Sequence, residues 1–148
     1  MATIEEITKY AQHGQLEDWI DAFLRAEGNN VPLADGLKKQ ERYWVGPEQV
    51  PLKRLTRSCG PEEEMEYRVS TDNWIKKTDL LIEHIKSGGE LPPLIVQYGK
   101  GVFSIRDGNH RYEAYKKFGL KTCWTLIWCD SEEAFEEMKA AAANQYDK

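Results

Sequence analysis

Cysteine is scarce in this sequence. The 148 residues include three, Cys59, Cys123 and Cys129, and no two of them have the Cys-x-x-Cys spacing found in zinc and dithiol sites. An odd number of thiols without a pairing framework is typical of a reducing compartment. We therefore expect no disulfide framework, and we expect Cys123 and Cys129 to be buried, unreactive thiols.

Long apolar runs are also missing. No segment approaches the roughly 18 apolar residues that a membrane-spanning helix needs. The amino terminus, MATIEEITKY, has early acidic residues and lacks the apolar core of about seven or more residues found in signal peptides. Together with the cysteine usage, these absences predict a cytoplasmic protein without a membrane partner.

Positive charge is in deficit. Twenty Lys and Arg residues face 25 Asp and Glu residues, a formal net charge of -5, and the field of such a chain repels nucleic acid and anionic membranes. Any phosphate-bearing partner must then be held by a local site. What the chain does have is apolar and aromatic content, 41% and 11%, which is too high for a disordered chain and predicts a soluble globular domain.

Helical spacing marks the first part of the chain. Five apolar residues recur at intervals of three and four positions: Leu16, Trp19, Ile20, Phe23 and Leu24. With Gly14 as the break, residues 3 to 27 are predicted as a pair of helices, and residues 28 to 40 as a linker with one short helical turn. Residues 1 to 40 are therefore predicted as an N-terminal helical extension. The sequence leaves three roles open for it: covering a site, forming a homodimer or extending the core.

Residues 41 to 148 mix strand and helix signals. Strands are predicted at 42–45, 50–55, 94–98 and 102–105 (a hairpin) and 122–128, and helices at 70–87, 109–118 and 131–144. The strands do not alternate strictly with helices, which favours an α+β fold with a mixed sheet over a doubly wound one. We expect Ile75 to lie on the buried face of its helix, and Trp124, Leu126 and Trp128 to lie in the core.

The segment from Asp107 to Arg111 leads from a predicted strand into a predicted helix. Gly108 can adopt a positive φ, and the first turn of the helix then offers unpaired N–H groups at the positive end of its dipole, a cradle for an anion. Arg111 adds a guanidinium that can bind phosphate oxygens through two bonds, and His110 adds a donor whose charge can switch. The plainer interpretation is a tight turn at Asp107 and Gly108, with Asn109 capping the helix.

An ordered set of segments resembles the ParB/sulfiredoxin superfamily. The matching segments, in chain order, are Val50–Leu55, Ile75–Ile85, Leu91–Val96 and Asp107–Gly119, with the signature Asp-Gly-Asn-His-Arg-Tyr at 107–112. The resemblance implies a small mixed sheet with packed helices. It also implies that Gly108, Asn109, His110 and Arg111 bind a nucleotide, which is ATP, ADP or CTP, together with Mg²⁺. The first forty-odd residues lie outside it.

Three branches of this superfamily differ at the signature. Partition proteins carry Gly-Glu-Arg-Arg and a helix-turn-helix downstream, yet only 20 residues follow Trp128, so specific duplex DNA binding is not expected. Sulfiredoxins carry Gly-Cys-His-Arg, and Asn109 stands at the cysteine position here, so reduction of cysteine sulfinic acids is not expected. Small free-serine kinases carry Asp-Gly-His-His-Arg-Tyr. That motif differs from this sequence at Asn109 alone, and the chain is most similar to this branch.

The kinase branch uses a loop glutamate after its first strand as a base, and Glu62, Glu63 and Glu64 stand there in this sequence. The resemblance thus implies that one of these carboxylates, or Asp107, takes a proton from an acceptor hydroxyl or helps to hold Mg²⁺. Three adjacent glutamates on a loop are also typical of a solvated surface, and an aspartate before glycine is typical of a turn. The sequence does not name the metal ligands.

The combined hypothesis is phosphoryl transfer from a nucleoside di- or triphosphate to a small hydroxyl-bearing acceptor, or hydrolysis of that nucleotide. Two alternatives stay open: a non-catalytic nucleotide-sensing or partner-binding module, and nucleic-acid binding of the ParB type. A kinase-like enzyme predicts turnover that depends on a carboxylate. A binding module predicts nucleotide affinity without turnover.

Overall fold

The computed structural model describes residues 3 to 146, and the side chains of residues 3 to 141. In chain order the elements are α1 (Ile4–Gln12), α2 (Leu16–Arg25), α3 (Val31–Leu37), β1 (Tyr43–Pro51), a 3-10 turn (Leu52–Arg54), β2 (Leu55–Arg57), β3 (Cys59–Gly60), β4 (Tyr67–Arg68), α4 (Thr71–Lys86), β5 (Leu94–Gly99), β6 (Val102–Asp107), α5 (Asn109–Phe118), β7 (Thr122–Cys129) and α6 (Glu132–Tyr146). The predicted α+β class is confirmed. Within the described residues, no helix combines the length and the apolarity that crossing a bilayer requires.

The five-stranded sheet has the order β1-β7-β5-β6-β2. β1 runs antiparallel to β7, and β6 runs antiparallel to β5, whereas β5 pairs in parallel with β7 and β2 in parallel with β6. The predicted hairpin of β5 and β6 is confirmed, with Gly99 opposite Val102. A separate parallel pair, β3 with β4, closes the loop that contains the acidic triplet.

Helices cover both faces of the sheet. Along β5, Leu94 and Val96 pack with residues of α5 and α6, whereas Ile95 packs with residues of α1, α2 and α3. This alternation follows from the two-residue period of a strand. The N-terminal helices therefore share a core with the sheet, and Leu126 and Trp128 of β7 belong to the same cluster. Three roles were left open for these helices. The contacts show one of them, because α1 to α3 extend the core.

The predicted pair of helices in residues 3 to 27 is present as α1 and α2, and a third helix, α3, follows them among the described residues. α1 and α2 are separated at Gly14 as predicted. The predicted linker, however, contains α3, which spans seven residues rather than a single turn. Asn30 caps α3 by accepting a hydrogen bond from the N–H of Leu33, and Pro32 lies in the first turn, where no donor is needed. The division of the chain between residues 40 and 41 stays a prediction.

The prediction of two separate strands at 42–45 and 50–55 was wrong in its boundaries. β1 is continuous, with a bulge at Gly46 and Pro47, and the 3-10 turn joins it to β2. Gly46 has a φ of +125°, and a Cβ there would lie 2.7 Å from the carbonyl oxygen of Thr125. The bulge accommodates two residues that from sequence alone break a strand.

Two predicted core positions are exposed. Ile75 on α4 is 44% exposed, and Trp124 on β7 is 37% exposed. α4 buries only a narrow stripe, Trp74 and Thr78, so Ile75, one position further along the helix, points away from it. The layer formed by α1 to α3 covers Trp128 but not the start of β7, which leaves Trp124 at the surface.

Candidate functional site

The turn between β6 and α5 is built around a glycine that no other residue replaces easily. Gly108 is the N-cap of α5 and has left-handed dihedrals, φ +106° and ψ 22°. A Cβ at this position would lie 2.5 Å from Leu94 Cδ2 and 2.8 Å from Arg111 Nη2. No side chain of the described residues caps the helix. The first-turn N–H groups, beginning with that of Asn109, are thus left without a capping oxygen.

Asn109 is buried, at 6% exposure, and its amide is used entirely within the protein. Oδ1 accepts hydrogen bonds from the N–H groups of Ser58 (2.9 Å) and Cys59 (3.2 Å). Nδ2 donates to the carbonyl oxygen of Ile105 (3.3 Å) and to Ser58 Oγ (3.4 Å). The side chain therefore ties the end of β2 to the turn, and what it leaves for a ligand is the backbone N–H.

Asp107 and Arg111 form an ion pair beneath the turn. Arg111 Nη2 donates to Asp107 Oδ2 and to the carbonyl oxygen of Pro93, both at 3.1 Å. Asn30 Nδ2 donates to the other carboxylate oxygen, Asp107 Oδ1, at 3.1 Å. Both oxygens of Asp107 are thus occupied. The side chains of Arg111 and Asp107 are 14% and 11% exposed, so this ion pair is screened only weakly by solvent.

A chain of contacts links Glu62 to His110. Arg57 Nη2 donates to both carboxylate oxygens of Glu62, at 2.8 and 2.9 Å, and Arg57 Nε lies 3.5 Å from Glu113 Oε2. The Arg57 guanidinium also lies 4.9 Å from the ring centroid of Trp74. The Trp74 ring in turn contacts the His110 ring, with centroids 4.5 Å apart. One member of the acidic triplet is therefore connected to the turn.

Two protonation states follow from these surroundings. The hydrogen bonds from Arg57 hold the pKa of Glu62 below its ordinary value, so Glu62 is a carboxylate at neutral pH. Burial lowers the pKa of His110, and the positive charges of Lys77 and Arg111 lower it further. At neutral pH His110 is therefore an uncharged ring, and it acts as a hydrogen-bonding group rather than as a cation.

The other two glutamates of the triplet differ from Glu62. Glu63 and Glu64 are exposed, and no hydrogen bond or ion pair joins either of them to another described residue. Their surroundings are those of a solvated surface. The structure therefore places Asp107 in the Gly108 turn and links Glu62 to that turn through Arg57, Trp74 and His110, whereas it gives Glu63 and Glu64 no such link among the described residues.

One cysteine, Cys59, lies next to the turn. Cys59 donates its N–H to Asn109 Oδ1 and lines a cleft beside Gly108 and His110. Burial raises the pKa of the Cys59 thiol, so it is protonated at neutral pH and is a poor nucleophile. Cys123 and Cys129 are buried as predicted, and burial raises the pKa of each to about 11.

Two clefts meet at the turn and share Asp107, Gly108 and His110. The first, here called the α4 cleft, has a volume of about 520 Å³. Its remaining lining residues are Phe23, Glu27, Gly28, Lys77, Leu80, Leu81, Leu91, Pro92 and Arg111. The second, here called the α3 cleft, has a volume of about 490 Å³. Its remaining lining residues are Asn30, Pro32, Leu33, Gly36, Ser58, Cys59, Tyr67, Arg106 and Asn109. Residues of the N-terminal segment line both clefts, so that segment borders the candidate site, and its role in covering a bound ligand stays a prediction.

The carboxylates near the turn do not form a ready-made metal cage. Among the described residues, no group of three or more His, Cys, Asp or Glu side chains could hold a metal ion. Glu62 and Asp107 already accept hydrogen bonds with both of their oxygens. Mg²⁺ usually keeps several waters and binds one or two carboxylates together with substrate phosphates. The residues present fit Mg²⁺ only where phosphate oxygens supply most of its ligands.

Three residues of the site were not found from sequence: Asn30, Arg57 and Trp74. Asn30 had only a helix-capping signal, three positions before Leu33, which says nothing about its distant bond to Asp107. Arg57 and Trp74 meet through tertiary packing, and no local spacing indicates that contact.

Similar solved structures include a sulfiredoxin from Arabidopsis thaliana, which is 27% identical with a TM-score of 0.44, the match covering 64% of this chain and 94% of that one. A C-terminally truncated chromosome-partitioning protein ParB from Caulobacter crescentus, complexed with CTP-gamma-S, is 22% identical with a TM-score of 0.44, covering 68% of this chain and 54% of that one. A free serine kinase in complex with AMP is 18% identical with a TM-score of 0.40, covering 60% of this chain and 31% of that one. This chain therefore spans nearly all of the sulfiredoxin, but about half of the ParB chain and a third of the kinase. A search of curated proteins finds no significant match.

The family comparison covers more than half of the chain. The model of the ParB N-terminal domain matches residues 62 to 143, a range that contains the acidic triplet, the Gly108 turn and helix α5. Helices α1 to α3 and strands β1 to β3 precede this range. The predicted membership of the ParB/sulfiredoxin superfamily is confirmed by this match, and the chain belongs to the ParB N-terminal domain family.

Proposed function

We propose that the chain binds a nucleotide, with the phosphates at the turn from Gly108 to Arg111. The observation that supports this most is the left-handed Gly108 in front of an uncapped helix, at a position where a Cβ would lie 2.5 Å from Leu94 Cδ2. A helix start of this kind attracts anions through its N–H groups and its dipole. The proposal rests on this geometry rather than on the AMP and CTP-gamma-S named for two of the similar solved structures.

The α4 cleft suits the rest of a nucleotide. It combines the cationic side chains Lys77 and Arg111 with the apolar side chains Leu80, Leu81 and Pro92. Leu80 is 64% exposed and offers apolar surface to a base or a ribose. Because the net charge of the chain is -5, phosphate binding depends on local cations, and this cleft offers Lys77 and Arg111, the latter paired with Asp107.

We extend the proposal to phosphoryl transfer to a small hydroxyl-bearing acceptor in the α3 cleft, or to water. Phosphates held at Gly108 would face both clefts, because the clefts meet there. The acceptor oxygen forms a bond to the terminal phosphorus, the bond from phosphorus to the bridging oxygen breaks, and the acceptor proton passes to a carboxylate. Glu62, Glu63, Glu64 and Asp107 are the carboxylates proposed for this step.

Asp107 lies in the turn and lines both clefts. Within the triplet, Glu62 has the geometric support, because Arg57 fixes it and connects it through Trp74 to His110. Its lowered pKa makes it a weak base. Phosphoryl transfer depends mainly on positioning and on neutralising charge, so a weakly basic carboxylate suffices if it holds the acceptor hydroxyl by a hydrogen bond and takes its proton as the new bond to phosphorus forms. Mg²⁺, when bound, would neutralise phosphate charge, and Asp107 is the residue at the turn that would contact it.

A nucleotide-binding module without turnover is the second candidate. Both oxygens of Glu62 and both oxygens of Asp107 accept hydrogen bonds within the protein, which favours fixed positions over proton transfer. Such a module would sense a nucleotide or bind a partner. A cytoplasmic location, a homodimer through the N-terminal helices and the absence of specific duplex DNA binding stay predictions.

The binding proposal is tested by calorimetry and thermal unfolding with ATP, ADP, CTP and inorganic phosphate, each with and without Mg²⁺. A nucleotide present at about 100 times its Kd should stabilise the fold by about 2.7 kcal/mol. Binding of at least one nucleotide supports the proposal. If no nucleotide changes the unfolding temperature and none gives a binding heat, the assignment of the turn as a nucleotide site is wrong.

The transfer proposal is tested with labelled nucleotide and a panel of amino acids and small alcohols. Replacement of a general base lowers the rate by about 10² to 10⁴ and leaves nucleotide affinity nearly unchanged. We expect this for Glu62→Gln among the three glutamates of the triplet. Glu83→Gln, at an exposed glutamate of α4, is the matched control. Nucleotide binding without turnover for every acceptor would favour the binding module.

A further inference from the structure

The connection between α2 and α3 reaches the candidate site through Asn30. Asn30 Nδ2 donates to Asp107 Oδ1 at 3.1 Å, a bond between residues 77 positions apart. The same amide accepts a hydrogen bond from the N–H of Leu33 through Oδ1, at 3.3 Å. Because a backbone N–H requires the oxygen to face it, the nitrogen faces Asp107. The orientation of the Asn30 amide is therefore set by the start of α3.

The N-terminal helices hold Asn30 firmly in this place. The N–H of Asn30 donates to the carbonyl oxygen of Leu24 at 2.7 Å, which fastens the connection to the end of α2. Arg25 donates to Asp21 at 2.9 Å and to Asp35 at 2.8 Å, so it joins α2 to α3. Both helices rest on the sheet through their shared apolar cluster. Asn30 is thus placed by the packing of the whole segment.

Asp107 needs two donors to keep its orientation. Asn30 occupies Oδ1 and Arg111 occupies Oδ2. Without Asn30, the carboxylate has a single anchor and can rotate about its side-chain bonds. Arg111 would then be held by the carbonyl oxygen of Pro93 and by a less ordered carboxylate. The orientation of the guanidinium that faces the α4 cleft therefore depends on a residue outside the family-matched range of 62 to 143.

We propose that Asn30 is a positioning residue, through which the N-terminal helices orient Asp107 and Arg111 for the bound phosphates. This inference rests on the proposed nucleotide binding at the turn. It assigns helices α1 to α3 a part in ligand affinity in addition to their part in the core. In this proposal the effect of Asn30 on affinity passes through its hydrogen bond to Asp107.

The test uses Asn30→Ser in the full chain. Serine caps a helix about as well as asparagine, so α3 keeps its start while the donor to Asp107 is lost. We expect Kd for ADP and ATP, measured by calorimetry, to rise about three- to tenfold, the usual effect of one hydrogen bond, with an unfolding temperature close to that of the wild type. Asn73→Ser, the same exchange at an exposed asparagine of α4, should leave Kd unchanged. Asn30→Asp also keeps the cap but sets a second carboxylate against Asp107, and it should weaken binding more than Asn30→Ser.

A double-mutant comparison separates positioning from a general structural effect. In an Asp107→Ala background, Asn30→Ser should have no further effect on Kd, because the residue that transmits its effect is gone. An equal loss in both backgrounds would overturn the proposal. An unchanged Kd in Asn30→Ser, with a wild type that binds nucleotide, would also overturn it and leave the proposed function standing.

If the wild type binds no nucleotide, the proposed function fails. A measurement without ligand then tests whether Asn30 positions Arg111. Proton exchange at the Arg111 side-chain nitrogens, followed by NMR, reports how firmly the guanidinium is held. We expect this exchange to be severalfold faster in Asn30→Ser than in the wild type and in Asn73→Ser. An equal rate in all three proteins would show that Asn30 does not position Arg111.

Discussion

Helix α5 begins and ends at a glycine in nearly the same backbone conformation, with φ of +106° at Gly108 and +97° at Gly119. At Gly119 the glycine N–H bonds to two carbonyl oxygens of the last turn, and a Cβ there would meet nothing within 4 Å. At Gly108 a Cβ would meet Leu94 and Arg111, and the first turn has no capping side chain. Gly119 ends the helix in open surroundings, whereas Gly108 lets Leu94 and Arg111 pack closely against the backbone. A positive φ therefore says little about function until the surroundings of the missing side chain are known.

The largest difference between the two ends of α5 should appear in unfolding free energy and nucleotide affinity when each glycine is replaced by alanine. Gly119→Ala carries the ordinary cost of a left-handed alanine, about 1 kcal/mol of unfolding free energy. Gly108→Ala adds the clash with Leu94 and Arg111, for a total of about 3 kcal/mol, and should abolish nucleotide binding. Denaturant unfolding and calorimetry measure both effects. Equal losses of stability in the two variants would show that the close packing around Gly108 does not require glycine.

A smaller difference, in nucleotide affinity, should appear when one cationic side chain is removed at each end of α5. Arg111→Ala should raise Kd for the nucleotide about 10- to 100-fold, because a hydrogen bond between charged groups is lost. Lys117→Ala, at an exposed position of the last turn, is the matched control and should leave Kd unchanged. Affinities are measured well below the unfolding transition, since Arg111 also anchors Asp107 and Pro93. Equal affinities in the two variants would contradict the placement of phosphates at this end.

The smallest effect concerns pH. Burial lowers the pKa of His110 in the folded protein from its ordinary value of 6.5, so the unfolded chain binds a proton more readily. The stability linked to this histidine is present above about pH 6.5 and is lost as the pH falls through the folded pKa. His110→Phe keeps a ring against Trp74 and should show a shallower loss of unfolding free energy between about pH 7 and 5. Urea unfolding at several pH values measures it, and identical slopes would show that His110 is not the titrating group.

The sequence predicted the elements whose signals are local. Gly108 and Gly119 bracket α5 at the predicted positions, and the hairpin of β5 and β6 follows from two runs of strand-forming residues around a glycine turn. Where burial depends on which element lies opposite, the predictions for Ile75 and Trp124 were wrong. The bulge in β1 was missed for the same reason, because the strand continues past Pro47 only through its pairing with β7.

The same distinction between local sequence signals and tertiary packing applies to the candidate site. The turn conformation at Gly108 was predictable, because glycine before a helix start is a local feature. The separation of Glu62 from Glu63 and Glu64 was not, since it depends on the position of Arg57 in space. The contact of Asn30 with Asp107 joins two residues 77 positions apart, and no periodicity within either segment carries information about it.

The N-terminal helices have a practical consequence for work on residues 41 to 148 in isolation. Ile95, Leu126 and Trp128 are at most 4% exposed, and they are covered by α1, α2 and α3. A fragment beginning at residue 41 would present these side chains to water as one contiguous patch, and patches of that kind drive association. Dimers formed by such a fragment would come from the uncovered sheet face, and they would carry no information about the assembly of the full chain.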